Sequence, residues 1–416
     1  MDTLKVNRIL TDTAYERLGG RAEELKCAEY LKQCCEEIGM DAHLESFEVE
    51  LADIHEARLI VDGEEIPCKG FMCAGNADLE APVYYLRNQD PYSLKQCKGK
   101  IVLVDGYMKY WTYQDIVDQG AVGFITYDGH VNYADEDIIQ RELRPVVSHG
   151  RVIPGVSINV KTAIELIKNN AKTARIVLNQ TQYTGNSRNV VAEISGEIEE
   201  YMVFTAHYDS TSLSTGAYDN MSGSIGLLGI AEYFMNHPHR YGMRFIWCGS
   251  EERGLLGSKA YCKDHEEELD KAALVINLDM IGCIMGRFIA CCTSEDKLVH
   301  YIEYLAQEEG FGIEAYDGVY SSDSTPFADK GVPAVSFARL APDTAATIHN
   351  RYDTLEVMKA EQLLEDLDFI LTFTERMANA KNCPVKKEMP EHIKEKLDVY
   401  MFRKRGDHKL SKAGSR

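Results

Sequence analysis

Four short strings decide how this chain is read: Thr205-Ala206-His207-Tyr208-Asp209, Tyr218-Asp219-Asn220-Met221-Ser222-Gly223, Gly249-Ser250-Glu251-Glu252-Arg253-Gly254 and Asn277-Leu278-Asp279-Met280. A fifth, Ile348-His349-Asn350-Arg351-Tyr352-Asp353-Thr354, follows further along. Apolar runs at 190–194, 202–206, 243–248, 273–278, 288–291 and 334–338 read as strands. Between them, 222–235, 255–264, 295–309 and 355–378 carry helical patterns. Strands alternating with helices predict an α/β fold, a three-layer α/β/α sandwich around a mostly parallel mixed sheet. Ligands of such sheets gather outside the carboxyl ends of the strands. His207 and Asp209 follow the run ending at Ala206, Glu251 and Glu252 follow the one ending at Cys248, and Asp279 closes 273–278. Asp219 stands just before the helix from Ser222, so all of them fall at one sheet edge.

Two histidines and three carboxylates make a mixed nitrogen and oxygen set that suits zinc. A shared carboxylate can hold two such ions about 3.5–4 Å apart. Asp209, two positions after His207 on an extended segment, is placed to accept the other ring N–H and fix its tautomer. In the Glu251-Glu252 pair, one carboxylate can ligate while its neighbour takes a proton from an attacking water. Singly, each residue has a plainer reading. An isolated histidine is more often a satisfied core residue, Asp219 is a charge favoured by a helix dipole, and the two glutamates are solvated charges heading a helix. Asp279 is harder to dismiss, because a carboxylate ending an apolar strand requires a partner. Together they point to a metal site.

The rest of the chain bounds this reading. Its 416 residues exceed one ordinary core. The texture divides into 1–53, a first part of the main domain; 54–184, a β-rich insert; 185–380, the domain carrying the strings; and 381–416, a charged extension. Within the first part, 14–38 reads as a helix interrupted at Gly19-Gly20, and 44–51 as a half-buried strand. A net charge of −21 disfavours nucleic acid, whose phosphates require a basic surface. No apolar stretch of about 18 residues is present to span a membrane. The start, Met1-Asp2-Thr3-Leu4, has no basic segment leading into an apolar run, so the expected location is cytoplasmic. Twelve scattered cysteines without a CxxC pair are expected to be reduced thiols.

His-x-Asp, Asp-Asn-x-Ser-Gly, Glu-Glu-x-Gly-Leu-x-Gly-Ser, Asn-x-Asp-Met and a late His before Asp-Thr, in this order, resemble the M28 family of zinc peptidases. The resemblance covers 185–378 and the helix and strand before 53. It implies an aminopeptidase acting on peptides with two zinc ions. His207 and Asp279 would hold one ion, Asp219 would bridge, Glu252 and His349 would hold the second, and Glu251 would be the general base. The middle region, with Gly99-Lys100-Ile101-Val102-Leu103-Val104 and Gln119-Gly120-Ala121-Val122-Gly123, resembles the protease-associated (PA) domain inserted in this family and is expected to narrow access to the cleft. Two departures stand out. Ile348 occupies the position where the family often has an oxyanion-binding Tyr, leaving Tyr352 or Tyr320 as replacements, and Ser324 stands where His is common in a Ser-Asp-His-x-Pro-Phe loop. The alternatives are a carboxypeptidase or dipeptidase in which an arginine (Arg253, Arg339 or Arg351) reads a terminal carboxylate, a zinc-dependent amidase acting on a small non-peptide substrate, and a receptor-like protein without metals. Surface pairing is the expectation for each of those arginines.

Overall fold

The structure is a computed structural model that describes residues 1–133 and 137–406. The charged extension expected over 381–416 therefore lies outside the described residues from position 407 on. The chain forms two compact units, Met1–Val49 with Asn186–Arg416, and Glu50–Gly185. In the smaller unit, strands Ala77–Tyr85, Ile101–Leu103, Gly123–Asp128 and Gly155–Asn159 lie side by side and parallel. Lys69–Gly70 closes one edge antiparallel, and on the other side residues 173–178 pair antiparallel with Ala77–Tyr85. Its core is built around Phe124, which meets Phe71 and Tyr113 edge-on.

In the larger unit the strand order is Glu314–Asp317, Arg287–Thr293, Ala334–Leu340, Ala272–Leu278, Tyr201–His207, Gly242–Cys248 and then 190–194. The four from Ala334–Leu340 to Gly242–Cys248 are mutually parallel. Every residue of Tyr201–His207 and of Ala272–Leu278 is buried, as a strand covered on both faces requires. Alternate side chains separate into two cores. Met202, Phe204, Leu274 and Ile276 pack with helices Thr3–Asp12, Ala22–Glu37, Ser222–Phe234, Asp296–Glu309 and Ala360–Ala378. Tyr201, Val203, Ile246 and Val275 pack with Tyr261 and Cys262 of helix Leu256–Asp264 and with Ile393 and Leu397 of helix Glu391–Tyr400. Three layers result.

Several expectations shift in detail. The helix expected from residue 14 begins at Ala22, and 13–21 is irregular, because this segment spends its polar groups on loops of the sheet edge. An unanticipated helix, Thr3–Asp12, precedes it, capped by Asp2, whose carboxylate accepts the Lys5 amide at 2.8 Å. The helix expected from 355 starts at Ala360 after a short 3-10 turn, Leu355–Val357. The segment after 380, expected as an extension, contributes Met389, Ile393 and Leu397 to a core of the larger unit, since three apolar side chains at helical spacing are buried there rather than solvated. All twelve cysteines carry free thiols. Among the described residues no helix is long and apolar enough to cross a membrane.

Helix Ser222–Phe234 lies close to the sheet because of Gly223, where a Cβ would stand 2.2 Å from the Leu278 carbonyl oxygen. Helix propensity alone favours Gly223→Ala by about 1 kcal/mol, but a clash with backbone cannot be relieved by a rotamer change. Gly223→Ala is expected to destabilise the protein by about 1–3 kcal/mol, read from the urea-unfolding midpoint. A midpoint at or above that of the parent would show that the helix can back away from the sheet.

Candidate metal centre

The site is assembled by four loops at the carboxyl ends of the parallel strands. Register places Cys248 beside His207 and Asn277 beside Thr205, so the chain leaves all three strands at nearly one level. Thr205 donates to Asn277 Oδ1 at 2.8 Å, and the Asn277 amide reaches Ser322 and Ser336, which satisfies the polar groups buried under the site. Asp219 lies in the turn Ala217–Met221 and is joined to Asn220 by a cis peptide bond. Asn220 ties that turn to the next strand end. Its Nδ2 donates to Leu278 O at 2.9 Å, and its Oδ1 accepts the Met280 amide at 3.0 Å.

These connections bring together every residue read from the sequence as a ligand or base. His207 Nε2 stands 3.1 Å from Asp219 Oδ1 and 3.7 Å from Asp279 Oδ1. His349 Nε2 stands 3.0 Å from the other Asp219 oxygen, Oδ2, and 3.1 Å from Glu252 Oε2. Asp219 thus presents one carboxylate oxygen to each imidazole. Atoms of His207, Glu251 and Asp279 lie within 4.8 Å of one another, as do those of Asp219, Glu252 and His349.

The donor chemistry fits a small divalent cation. Ligand atoms on one tetrahedral zinc, each about 2.0–2.1 Å from it, stand about 3.3–3.4 Å apart, close to the separations above. Glu252 Oε1 and Asp279 Oδ1 are buried with no hydrogen-bond partner, which buried carboxylates avoid unless a cation completes them. Protons are drawn in as well. Burial alone would lower the pKa of His207, but the charge of Glu251 and contacts with Asp209, Asp219 and Asp279 raise it well above the ordinary value. For His349 burial is likewise outweighed, by Glu252 and Asp219. Burial, aided by the charges of Asp323, Glu252 and Asp279, pushes Glu251 well above a normal carboxylate.

Residues 189–374 match the profile of peptidase family M28. Over 400 residues, 91% of this chain and 86% of the relative, the sequence is 26% identical to aminopeptidase YwaD of Bacillus subtilis strain 168. The matched segment, 189–374, carries all five strings of the site. Among solved structures, the aminopeptidase from Aneurinibacillus sp. strain AM-1 shares the fold with a TM-score of 0.76 at 23% identity, over 92% of this chain and 96% of that one. BSAP, a zinc aminopeptidase from Bacillus subtilis, does so with a TM-score of 0.76 at 24% identity, over 94% and 98%.

The residues around the candidate ligands do more than the sequence reading assigned. Asp209 lies 3.4 Å from His207 Nδ1, and its two oxygens accept the amides of Glu251 at 3.0 Å and Glu252 at 3.2 Å. It therefore faces the ring and also anchors the glutamate loop. Asp353 accepts the amides of Tyr218 at 2.8 Å and Asp219 at 3.2 Å, and burial pushes its carboxyl up to about 7. Only its place in the Asp-Thr string marked it beforehand. Ser250, Met280 and His349, all non-glycine, adopt φ of 52°, 74° and 60°. Such backbone costs on the order of 1–2 kcal/mol per residue, and each case adjoins or carries a ligand or base. The side chains and chain segments that hold these conformations are themselves buried or hydrogen-bonded. The Ser250 hydroxyl, for instance, donates to the buried Glu24 carboxylate at 3.1 Å.

Three expectations need correction or refinement. Arg339 is not surface-paired: it is largely buried, and its Nε donates to the buried Asp366 carboxylate at 3.0 and 2.9 Å, because the loop from Met280 to Gly286 wraps over it. Ser324 is buried and bonded to Ser336 at 2.9 Å, below the ligands rather than among them. Of the two tyrosines offered for the position of Ile348, Tyr320 reaches the site, donating to the Asp279 carbonyl at 3.3 Å.

Glu24 gives a pH test of this packing. Burial and the charge of Asp209 push its carboxyl from 4.5 up to about 7. The folded chain therefore holds a proton that the unfolded chain has lost, and stability contributed by this group is full at low pH and lost as pH rises toward 7. In the metal-free protein, Glu24→Gln is expected to make the fall of unfolding free energy between pH about 5 and about 7 shallower. Urea titrations across that range check it, and an unchanged slope would place the proton elsewhere.

Proposed function

We propose that this protein is an aminopeptidase of peptidase family M28 that removes N-terminal residues from peptides with a co-catalytic pair of zinc ions. The observation that carries this reading is Asp219, whose two oxygens face the two imidazoles of separate ligand sets. His207 and Asp279 would hold one zinc, Glu252 and His349 the other, with Asp219 shared between them. When bound, the ions supply Lewis acidity toward the scissile carbonyl and a more acidic attacking water. A sequence relative is an aminopeptidase and a protein of the same fold is a zinc aminopeptidase, which supports both the activity and the metal.

The chain's own residues perform the remaining steps. Glu251 takes the proton of the attacking water at a carboxylate oxygen and delivers it to the leaving amine. Asp209 fixes Glu251 through the amide hydrogen bond and holds the His207 ring from behind. We assign to the Tyr320 hydroxyl, which rests on the Asp279 carbonyl 3.3 Å away, the steadying of the developing oxyanion in the absence of a tyrosine at 348, a role in which it would exchange that bond. The carboxylates around the metals would meet the free α-amino group of the substrate. The insert, Glu50–Gly185, is read as a protease-associated module on the strings at 99–104 and 119–123. A carboxyl-terminal specificity finds less support, because Arg339 is committed to Asp366.

Two outcomes follow. Glu251→Gln is expected to retain zinc while kcat falls by about 10²–10⁴, measured with metal analysis beside the hydrolysis of free and N-acetylated aminoacyl amides. Cleavage confined to blocked or carboxylate-ended substrates would move the protein to the carboxypeptidase reading, and absence of bound zinc would end the enzyme reading. Tyr320→Phe is expected to lower kcat by about 10² with little change in KM. An equal kcat would remove Tyr320 from the oxyanion role.

A further inference from the structure

The irregular segment 13–21 carries a side chain that no motif in the sequence marks. Arg17 is completely buried. Its guanidinium makes five hydrogen bonds, all to main-chain carbonyls: Nε to Tyr208 at 2.6 Å, Nη1 to Thr13 at 2.6 Å, Tyr15 at 2.9 Å and Thr215 at 2.6 Å, and Nη2 to Gly216 at 3.0 Å. Among the described residues no carboxylate pairs with it. A buried charge without a counter-ion is costly, so this arginine is poorly explained as a stability device.

Its partners explain it better. Tyr208 lies between His207 and Asp209, and Thr215 and Gly216 lead into the turn that carries Asp219. From His207 to Asp219 the chain makes an excursion with no regular structure before the turn, yet their side chains must return to within 3.1 Å of each other. The carbonyls at both ends of that excursion converge on one planar fork of donors. Ser210, midway, is pinned to the same residue through its amide and its hydroxyl, at 3.1 and 2.9 Å. Gly216 makes the approach possible: a Cβ there would stand 2.5 Å from Arg17 Nη2. Lysine, with three donors on one atom, cannot span these acceptors.

We propose that Arg17 is a positioning residue of the metal centre, whose guanidinium fixes the separation of the His207 loop from the Asp219 loop. The consequence for metal binding rests on the two-zinc reading above; the consequence for the loops does not. The test compares Arg17→Met, Arg17→Lys and, as a matched destabilised control, Leu298→Ala in the core of helix Asp296–Glu309. Amide hydrogen exchange of the metal-free proteins and zinc affinity by competition with a chromogenic chelator are measured. In Arg17→Met, exchange across 208–219 is expected to rise while strand Tyr201–His207 keeps its protection, and zinc affinity to fall by about 10–100-fold. Arg17→Lys, which keeps the charge and should fold if the methionine variant does not, is expected to show the same loosening to a smaller degree. Leu298→Ala is expected to lose thermal stability with loop exchange and zinc affinity unchanged. Exchange at 208–219 in both Arg17 variants no greater than in the Leu298 control would overturn the proposal, as would wild-type zinc affinity in both. Should the wild type bind no zinc, the two-zinc reading fails while the exchange comparison still decides the role of Arg17.

Discussion

The structure depends on a concentration of negative charge that the protein cannot neutralise by itself. Asp209, Asp219, Asp279, Asp323 and Asp353 are all buried, and Glu251 and Glu252 join them around two imidazoles. Isolated carboxylates in such surroundings would take up protons or meet cations. Burial pushes Asp323 and Asp353 up to about 7 and raises Glu251 well above its ordinary value, whereas Asp219, between two histidines, is held below its ordinary value despite its burial. The group that keeps its charge most firmly is thus the one that faces both ligand sets. Divalent cations would relieve this field, and the loops hold the carboxylates together around the two imidazoles.

Holding them together is work for the surroundings. The ligands sit on loops, and loops of this kind drift unless their backbone groups are tied. Here the ties are polar and buried: Asp209 under the Glu251-Glu252 amides, Asp353 under the Asp219 turn, Asn220 between that turn and the end of strand Ala272–Leu278, and Glu24 beneath Ser250. Each tie satisfies groups that burial would otherwise leave unpaired, and each fixes one ligand against another. The left-handed backbone at Ser250, Met280 and His349 persists because neighbouring bonds over-determine it. Arg17 belongs to the same system and comes from a part of the chain far from every motif.

Much of this was legible beforehand, for identifiable reasons. Strands covered on both faces read as continuous apolar runs, and Tyr201–His207 and Ala272–Leu278 are of that kind, so their ends and the residues just beyond them were readable. Helix Thr3–Asp12 was missed because only Val6, Ile9 and Leu10 mark its buried face. The segment after 380 was taken for an extension because its charges outnumber the three apolar residues that seat it in the core. Arg339 was assigned to the surface by residue type, and only its pairing with Asp366 removes it from there.

The sequence by itself determined the alternation of strands and helices and the placement of His207, Asp209, Asp219, Glu251, Glu252 and Asp279 at one edge of the sheet, while His349 entered through the resemblance alone. These follow from local periodicity and from side-chain chemistry at strand ends, both of which are written in neighbouring residues. Only the tertiary structure decided that Asp219 turns one oxygen to each histidine, that Asp209 and Asp353 carry the ligand loops by their amides, and that Arg17 and Glu24 reach the site from the N-terminal segment. Four of those six contacts join residues more than a hundred positions apart, and all are set by the angle and register of packed elements, for which no local pattern in the chain stands as a sign.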